Sequence, residues 1–349
     1  MGKFTGYFDW MTLVLIVLIG SFGLFILLTI APSLFWQQLA FFIGAIALMI
    51  SIHNIDNVLL WWASKYMYIG SVLFIALSYL GPNIRGATRW IMIAGQQVQP
   101  SEIGKPFILF SLAYFIEKWP PREAKYIALH TILFLIPFLL VFKQPDLGTS
   151  LIYAATWIAM MIAGGLPLWL FGGGAALFTI MTPVLWHALA AYQKSRIETF
   201  LNPGMDPRGA GYNAIQAMIA VGSGQLFGRG LGLGTQSHLQ FLPEYHTDFI
   251  FASLIEELGF IGGCILFCMY AYLIWRMLFP LVRQEVTKAR VYIYTIGLCA
   301  MLMTQITINT GMNMGIIPVT GITLPLVSYG GSSLLSLGIA FGLFASIRK

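Results

Sequence analysis

Met11-Thr12-Leu13-Val14-Leu15-Ile16-Val17-Leu18-Ile19-Gly20-Ser21-Phe22-Gly23-Leu24-Phe25-Ile26-Leu27-Leu28-Thr29-Ile30 runs for 20 residues without a charge. A helix needs about 20 mainly apolar residues to cross a bilayer, where only its internal hydrogen bonds satisfy the backbone. The run is longer than the apolar part of a secretory leader, and no small-residue cleavage pattern follows it, so it reads as a first membrane anchor.

The same pattern recurs along the chain. Apolar runs between breakers predict spans near residues 10–30, 34–52, 59–80, 102–117, 126–142, 150–163, 168–189, 247–275, 291–312 and 333–347. Composition agrees: of 349 residues, 58% are hydrophobic and 9% charged, against about 25% charged in soluble domains. The expectation is an all-α, polytopic bundle of about ten spans, forming one membrane domain over residues 1–349. The net charge of +6 does not point to nucleic acid, because Lys and Arg punctuate the apolar runs instead of forming one basic face. Orientation and anionic membrane lipid are the better readers of that charge. Cys264, Cys268 and Cys299 all lie in apolar segments, with neither a disulfide framework nor metal-ligand spacing.

An even number of spans puts both termini on one side. With the N-terminus inside, eleven Lys and Arg residues, including Lys118, Arg122, Lys125, Arg276, Arg283, Lys288 and Arg290, fall at the cytoplasmic face and eight fall opposite. Both termini are therefore expected to be cytoplasmic. The segments rich in Gly, Pro and polar residues, 81–102, 143–149, 190–246 and 311–333, then gather on the outer face. Irregular backbone at membrane depth requires surrounding protein or a water-filled cavity, so an outward-facing cavity and a large extracytoplasmic loop over about 190–246 are expected.

Asp248 follows Leu242-Pro243-Glu244-Tyr245-His246-Thr247 and opens an apolar helix at the outer boundary. Two readings stand. Asp248 or Thr247 caps the helix, or the Asp248 carboxylate, held ionised by the helix dipole, faces the cavity and takes a proton from an attacking hydroxyl. Glu256 and Glu257 lie about two turns deeper and point elsewhere around the helix, which favours structural pairing. Glu102 and Lys105 are three apart after Pro100-Ser101, so they either neutralise each other or hold a metal or anionic substrate at the cavity mouth. Arg196, Arg208 and Arg229 in the long loop are available for charge-assisted contacts to a pyrophosphate. Gly228, Gly230, Gly232 and Gly234 allow close ligand approach or a tight re-entrant turn. A nucleotide loop is excluded, because no strand precedes these glycines and no Lys-Ser/Thr follows. Asn309, Asn313 and residues 318–333 form a polar break between the last two spans.

In this order, Gly86 to Ile91, Gln99-Pro100-Ser101-Glu102, Gln144 to Ser150, Gly228 to Gly234, Leu242-Pro243-Glu244, Thr247 to Ala252, Glu256 to Gly259 and Asn309 to Ser333 resemble the signature of the SEDS family of peptidoglycan glycosyltransferases. The resemblance implies an outward-facing polymerase of lipid II that acts by inverting transfer and releases undecaprenyl pyrophosphate. It maps the family's essential acid onto Asp248 and other sensitive positions onto Trp90, Glu102, Lys105 and Arg196. It implies a class B penicillin-binding protein as transpeptidase partner, alongside other elongation-complex membrane proteins. No cofactor is required by the resemblance, no metal ligands are assigned, and a divalent cation, Mg or Mn, is left open as an aid to the leaving pyrophosphate. The absence of lysine from Thr235 to Phe241 favours the RodA branch over FtsW or SpoVE. Two other classes compete: a lipid II flippase, for which no inverted repeat is visible, and a scaffold, which would not need Asp248.

Overall fold

Each apolar run becomes a helix because hydrocarbon leaves the backbone no other hydrogen-bond partner. The computed structural model describes residues 9–82, 88–93, 95–188, 191–205, 209 and 211–348. The ten predicted spans fall on α1 (Trp10–Ile30), α2 (Pro32–His53), α3 (Asn57–Leu77), α4 (Pro100–Lys118), α5 (Ala124–Lys143), α6 (Leu147–Ala163), α7 (Leu168–Ala188), α11 (Ile250–Val282), α12 (Ala289–Asn313) and α13 (Gly331–Ile347). Among the described residues, six of these are long and apolar enough to cross a membrane: α1, α2, α3 with the turn that continues it, α5, α11 and α12. Helix α4 carries Glu102, Lys105, Glu117 and Lys118, and α6 and α13 are 17 residues each.

The all-α expectation holds with one small addition, and two further details are corrected. A two-stranded antiparallel hairpin, β1 (Ile91–Ile93) and β2 (Gln96–Val98), precedes α4 in an otherwise helical molecule. The long loop carries helices of its own, α8 (Ala191–Leu201), α9 (Tyr212–Ser223) and the single turn α10 (Thr235–His238). The eighth predicted span begins at Ile250, runs to Val282 and is broken at Gly259, whose φ of 70° and ψ of −171° are not helical.

Helices α4, α12 and α13 form the centre, where Phe110, Tyr294, Phe341 and Phe344 are fully buried. Helix α13 lies along α2. Gly338 and Gly342, four apart on α13, allow this, since a Cβ at either would strike the α2 backbone at Ala45 or Met49.

Ion pairs fix which ends share a face. Asp9, which caps α1 through the Thr12 amide at 3.3 Å, meets Arg276 at 3.1 Å and Arg348 at 3.5 Å. Both described ends of the chain and the far half of α11 therefore lie together. Arg290, at the start of α12, pairs with Glu117 near the end of α4 at 3.5 Å. The basic segments of the sequence thus cluster at one end of the bundle, and the start of α11 lies at the other.

Candidate active site

At that other end the four irregular segments meet around one cavity of about 560 Å³. The hairpin and its flanks contribute Arg89, Trp90, Met92, Gln96, Gln97 and Gln99, and the starts of α4 and α6 contribute Glu102 and Thr149. The lead-in to α11 contributes Glu244, His246, Thr247 and Asp248. The stretch between α12 and α13 contributes Gly321, Thr323, Tyr329, Ser332 and Ser333, and α2 adds Gln37 and Phe41. Amide and hydroxyl groups dominate one wall, as hydrogen bonding to a sugar requires, while the carboxylates gather around the entry to α11.

Asp248 is half-buried on this wall. It does not cap the helix: the N-cap of α11 is Phe249, with no side-chain cap bond. The cap comes from another helix, where Asn313 Oδ1 accepts from the Ala252 amide at 3.0 Å. The helix dipole expected to favour the charged form of Asp248 is outweighed. Burial, then the neighbouring Glu244 carboxylate, push its pKa up from 3.8 to about 6 despite Arg89 and Arg196. Nor is Asp248 a lone acid, since Glu244 and Glu102 line the same space. Across from the carboxylate, Gly321 has a φ of +75°, and a Cβ there would sit 3.3 Å from Asp248 Oδ2.

Arg89 and Asp146 are the residues that the sequence reading left without a role. Arg89 stacks on Trp90 at 4.2 Å and reaches Asp146 at 3.7 Å. Asp146 also caps α6 through the Thr149 amide at 3.0 Å and accepts from Gln99 Nε2 at 2.7 Å. The signal available was Arg89 beside Trp90 in one irregular segment and the single aspartate of another, but nothing local joins them. Of the predicted substrate-binding residues, Trp90 and Glu102 line the cavity. Lys105 lies behind Glu102, pairing with it at 2.7 Å while only 1% exposed. Arg196, on α8, donates to the Thr320 carbonyl at 3.4 Å and faces a separate cavity of about 70 Å³ lined also by Met218, Met312 and Val319. Arg229 is exposed and bonds to Thr235 Oγ1 at 3.2 Å, away from the cavity wall. Arg208 lies outside the described residues.

The glycine run takes the form of a tight turn. Arg229 and Gly230 amides donate to the Glu256 and Glu257 carbonyls at 2.8 and 3.1 Å, and Phe260 and Ile261 amides donate to Gln225 and Leu226 at 2.8 and 3.2 Å. The loop thereby supplies the backbone bonds that the break at Gly259 removes. Glu256 and Glu257 pair structurally: Glu256 takes the Gln236 amide at 3.0 Å, and Glu257 takes the Gly232 amide at 3.1 Å, His238 at 3.0 Å and Thr29 Oγ1 at 2.6 Å. Among the described residues no group of three or more His, Cys, Asp or Glu is placed to hold a metal ion.

Comparison with known proteins follows this geometry. A family model described as a cell cycle protein, FtsW/RodA/SpoVE, matches residues 5–349. The peptidoglycan glycosyltransferase MrdB of Escherichia coli (strain K12) is 43% identical over 289 residues, covering 82% of this chain and 78% of its own. The stage V sporulation protein E of Bacillus subtilis (strain 168) is 36% identical over 321 residues, covering 88% and 84%. Among solved structures, one from work on structural coordination of polymerization and crosslinking by a peptidoglycan synthase complex superposes with a TM-score of 0.85 at 28% identity, covering 98% of this chain and 97% of its own. The Rod shape determining protein RodA of Thermus thermophilus superposes with a TM-score of 0.73 at 28% identity, covering 98% and 96%.

Proposed function

The chain belongs to the FtsW/RodA/SpoVE family and is a multi-pass membrane peptidoglycan glycosyltransferase; on that premise we propose that it polymerises lipid II at its cavity, with Asp248 as the general base. The observation that carries the reading is a half-buried carboxylate, with its pKa raised to about 6, on the wall of an open polar cavity. A base with a pKa near the working pH is deprotonated yet still basic enough to take a proton.

In this reading the acceptor's GlcNAc 4-hydroxyl loses its proton to Asp248 as its oxygen attacks the donor's anomeric carbon. The bond to undecaprenyl pyrophosphate breaks, with inversion. The growing negative charge on the leaving group calls for cations in place beforehand. Arg89 is the cation on the cavity wall itself, and its contacts with Trp90 and Asp146 hold the guanidinium in place. Trp90 offers an apolar face to the sugar, and Glu102, backed by Lys105, lines the cavity. Arg196, beneath Thr320, serves a part of the substrate outside the main cavity, and Arg229 and Arg208 serve the lipid-linked pyrophosphate on approach.

The greater identity to MrdB than to the sporulation protein favours cell elongation and rod-shape maintenance. The solved neighbour from a peptidoglycan synthase complex supports a class B penicillin-binding protein as the crosslinking partner. With the basic loops at one end, both termini are cytoplasmic and the cavity opens outward.

The test is polymerisation of lipid II by the purified chain with its transpeptidase partner. Asp248→Asn is expected to lower turnover by about 10²- to 10⁴-fold. Normal strand lengths and rates from a folded Asp248→Asn chain would refute the base assignment.

A further inference from the structure

The lead-in to α11 has no regular secondary structure, yet three successive carbonyls, those of His246, Thr247 and Asp248, are held by α12 and the stretch that follows it. The His246 carbonyl accepts from the Tyr329 amide at 2.9 Å, and the Thr247 carbonyl accepts from Ser328 Oγ at 2.7 Å. The Asp248 carbonyl accepts twice, from Asn309 Nδ2 at 2.9 Å and Asn313 Nδ2 at 3.0 Å. Both asparagines are fully buried. Each also bonds elsewhere: Asn309 Nδ2 donates to the Ile322 carbonyl at 2.6 Å, next to the Gly321 that faces the Asp248 carboxylate. Asn313 donates to the Asn309 carbonyl at 2.7 Å and caps α11 at Ala252.

We propose that Asn309 and Asn313, one turn apart on α12, are positioning residues that fix the Asp248 main chain between the first turn of α11 and the Gly321 segment. This rests on the reading of Asp248 as the base. The chemistry favours asparagine: each amide nitrogen donates to the Asp248 carbonyl and to a second carbonyl, and at Asn313 the amide oxygen also receives the Ala252 amide. No aliphatic side chain donates or receives, and an acid only receives. Two donors on one carbonyl remove the rotation about the Phe249 peptide that would swing the carboxylate away from the cavity. These residues touch no substrate, so their loss acts on turnover through geometry, where a displacement of about 1 Å is enough to lower rates by about 100-fold.

The experiment uses the full chain with its transpeptidase partner and lipid II, comparing wild type, Asn313→Asp, Asn309→Ser and Asp248→Asn. Asn313→Asp retains the oxygen that caps Ala252 and loses the donor to Asp248. Asn309→Ser is the milder change and shortens the reach to both carbonyls. The expected result is a fall in kcat of about 10- to 100-fold with KM within about twofold, both chains remaining folded, with Asn313→Asp unfolding at the lower temperature because it buries an acid. A folded variant with kcat within about threefold of wild type overturns the proposal, and so does loss of fold in both variants, which would make the pair scaffold only. Retained turnover in Asp248→Asn overturns instead the base reading beneath it.

Discussion

Asp248 combines two roles that oppose each other. Its pKa is raised from 3.8 to about 6 by burial and by Glu244, so its contribution to stability is greatest below pH 3.8 and declines as pH rises through about 6. At neutral pH the ionised form costs up to about 3 kcal/mol, at about 1.4 kcal/mol per pH unit. With Asp248 as the proposed base, activity requires that ionised form, so polymerisation is expected to fall as pH drops through about 6, and an acid limb lying near 4 would refute the raised value. Asp248→Asn should be inactive yet unfold at a higher temperature. The Glu102–Lys105 pair makes an unequal prediction. Glu102 borders the cavity and can be hydrated, whereas Lys105 is 1% exposed. Glu102→Gln strands a buried ammonium and should destabilise by about 3 kcal/mol, more than Lys105→Met does, with the double change recovering part of the loss. Denaturation in detergent across the four chains checks the order. At this scale the sequence was a partial guide. Asp248 was legible because a carboxylate beside an apolar run is conspicuous. Its cap was not, because Asn313 lies 65 residues away and no local pattern joins them.

Among the elements, the helices were the easiest to read, since the apolar runs and their charged or Gly-Pro breaks mark both ends. The hairpin was hidden because Ile91-Met92-Ile93 and Gln96-Gln97-Val98 are three residues each, too short to show alternation. Helices α8 and α9 were hidden by the glycines and prolines between them. The break in α11 was signalled only by Gly259 and two acids, whose partners sit on a separate loop and on α1. That break is a defined element: a Cβ at Gly259 meets the Leu226 and Gly228 backbone, and its φ of 70° disfavours any other residue. Gly259→Ala should lower stability by about 2 kcal/mol or more and reduce turnover in parallel, measured by thermal unfolding beside strand synthesis. Unchanged stability would show that the break adapts to a side chain.

For the whole molecule, orientation is the checkable statement. In a chain lacking its three native cysteines, a single cysteine at Gln97, on the cavity rim, should react with a membrane-impermeant maleimide in intact cells. One at Gln284, between α11 and α12, should react only after the membrane is opened. The reverse pattern would invert the assignment of faces. Helix α11 connects these two faces, with Arg276 against Asp9 at one end and the approach to Asp248 at the other. As an unbroken rod of 33 residues it would act as a lever of about 50 Å, and a tilt of about 5° at the Arg276 end would sweep the acid through about 4 Å. With the fulcrum at Gly259, the outer arm shortens to about 13 Å and the same angle moves its tip by about 1 Å. The loop collared around that joint thus shields the Asp248 carboxylate from tilts at the opposite end of the bundle.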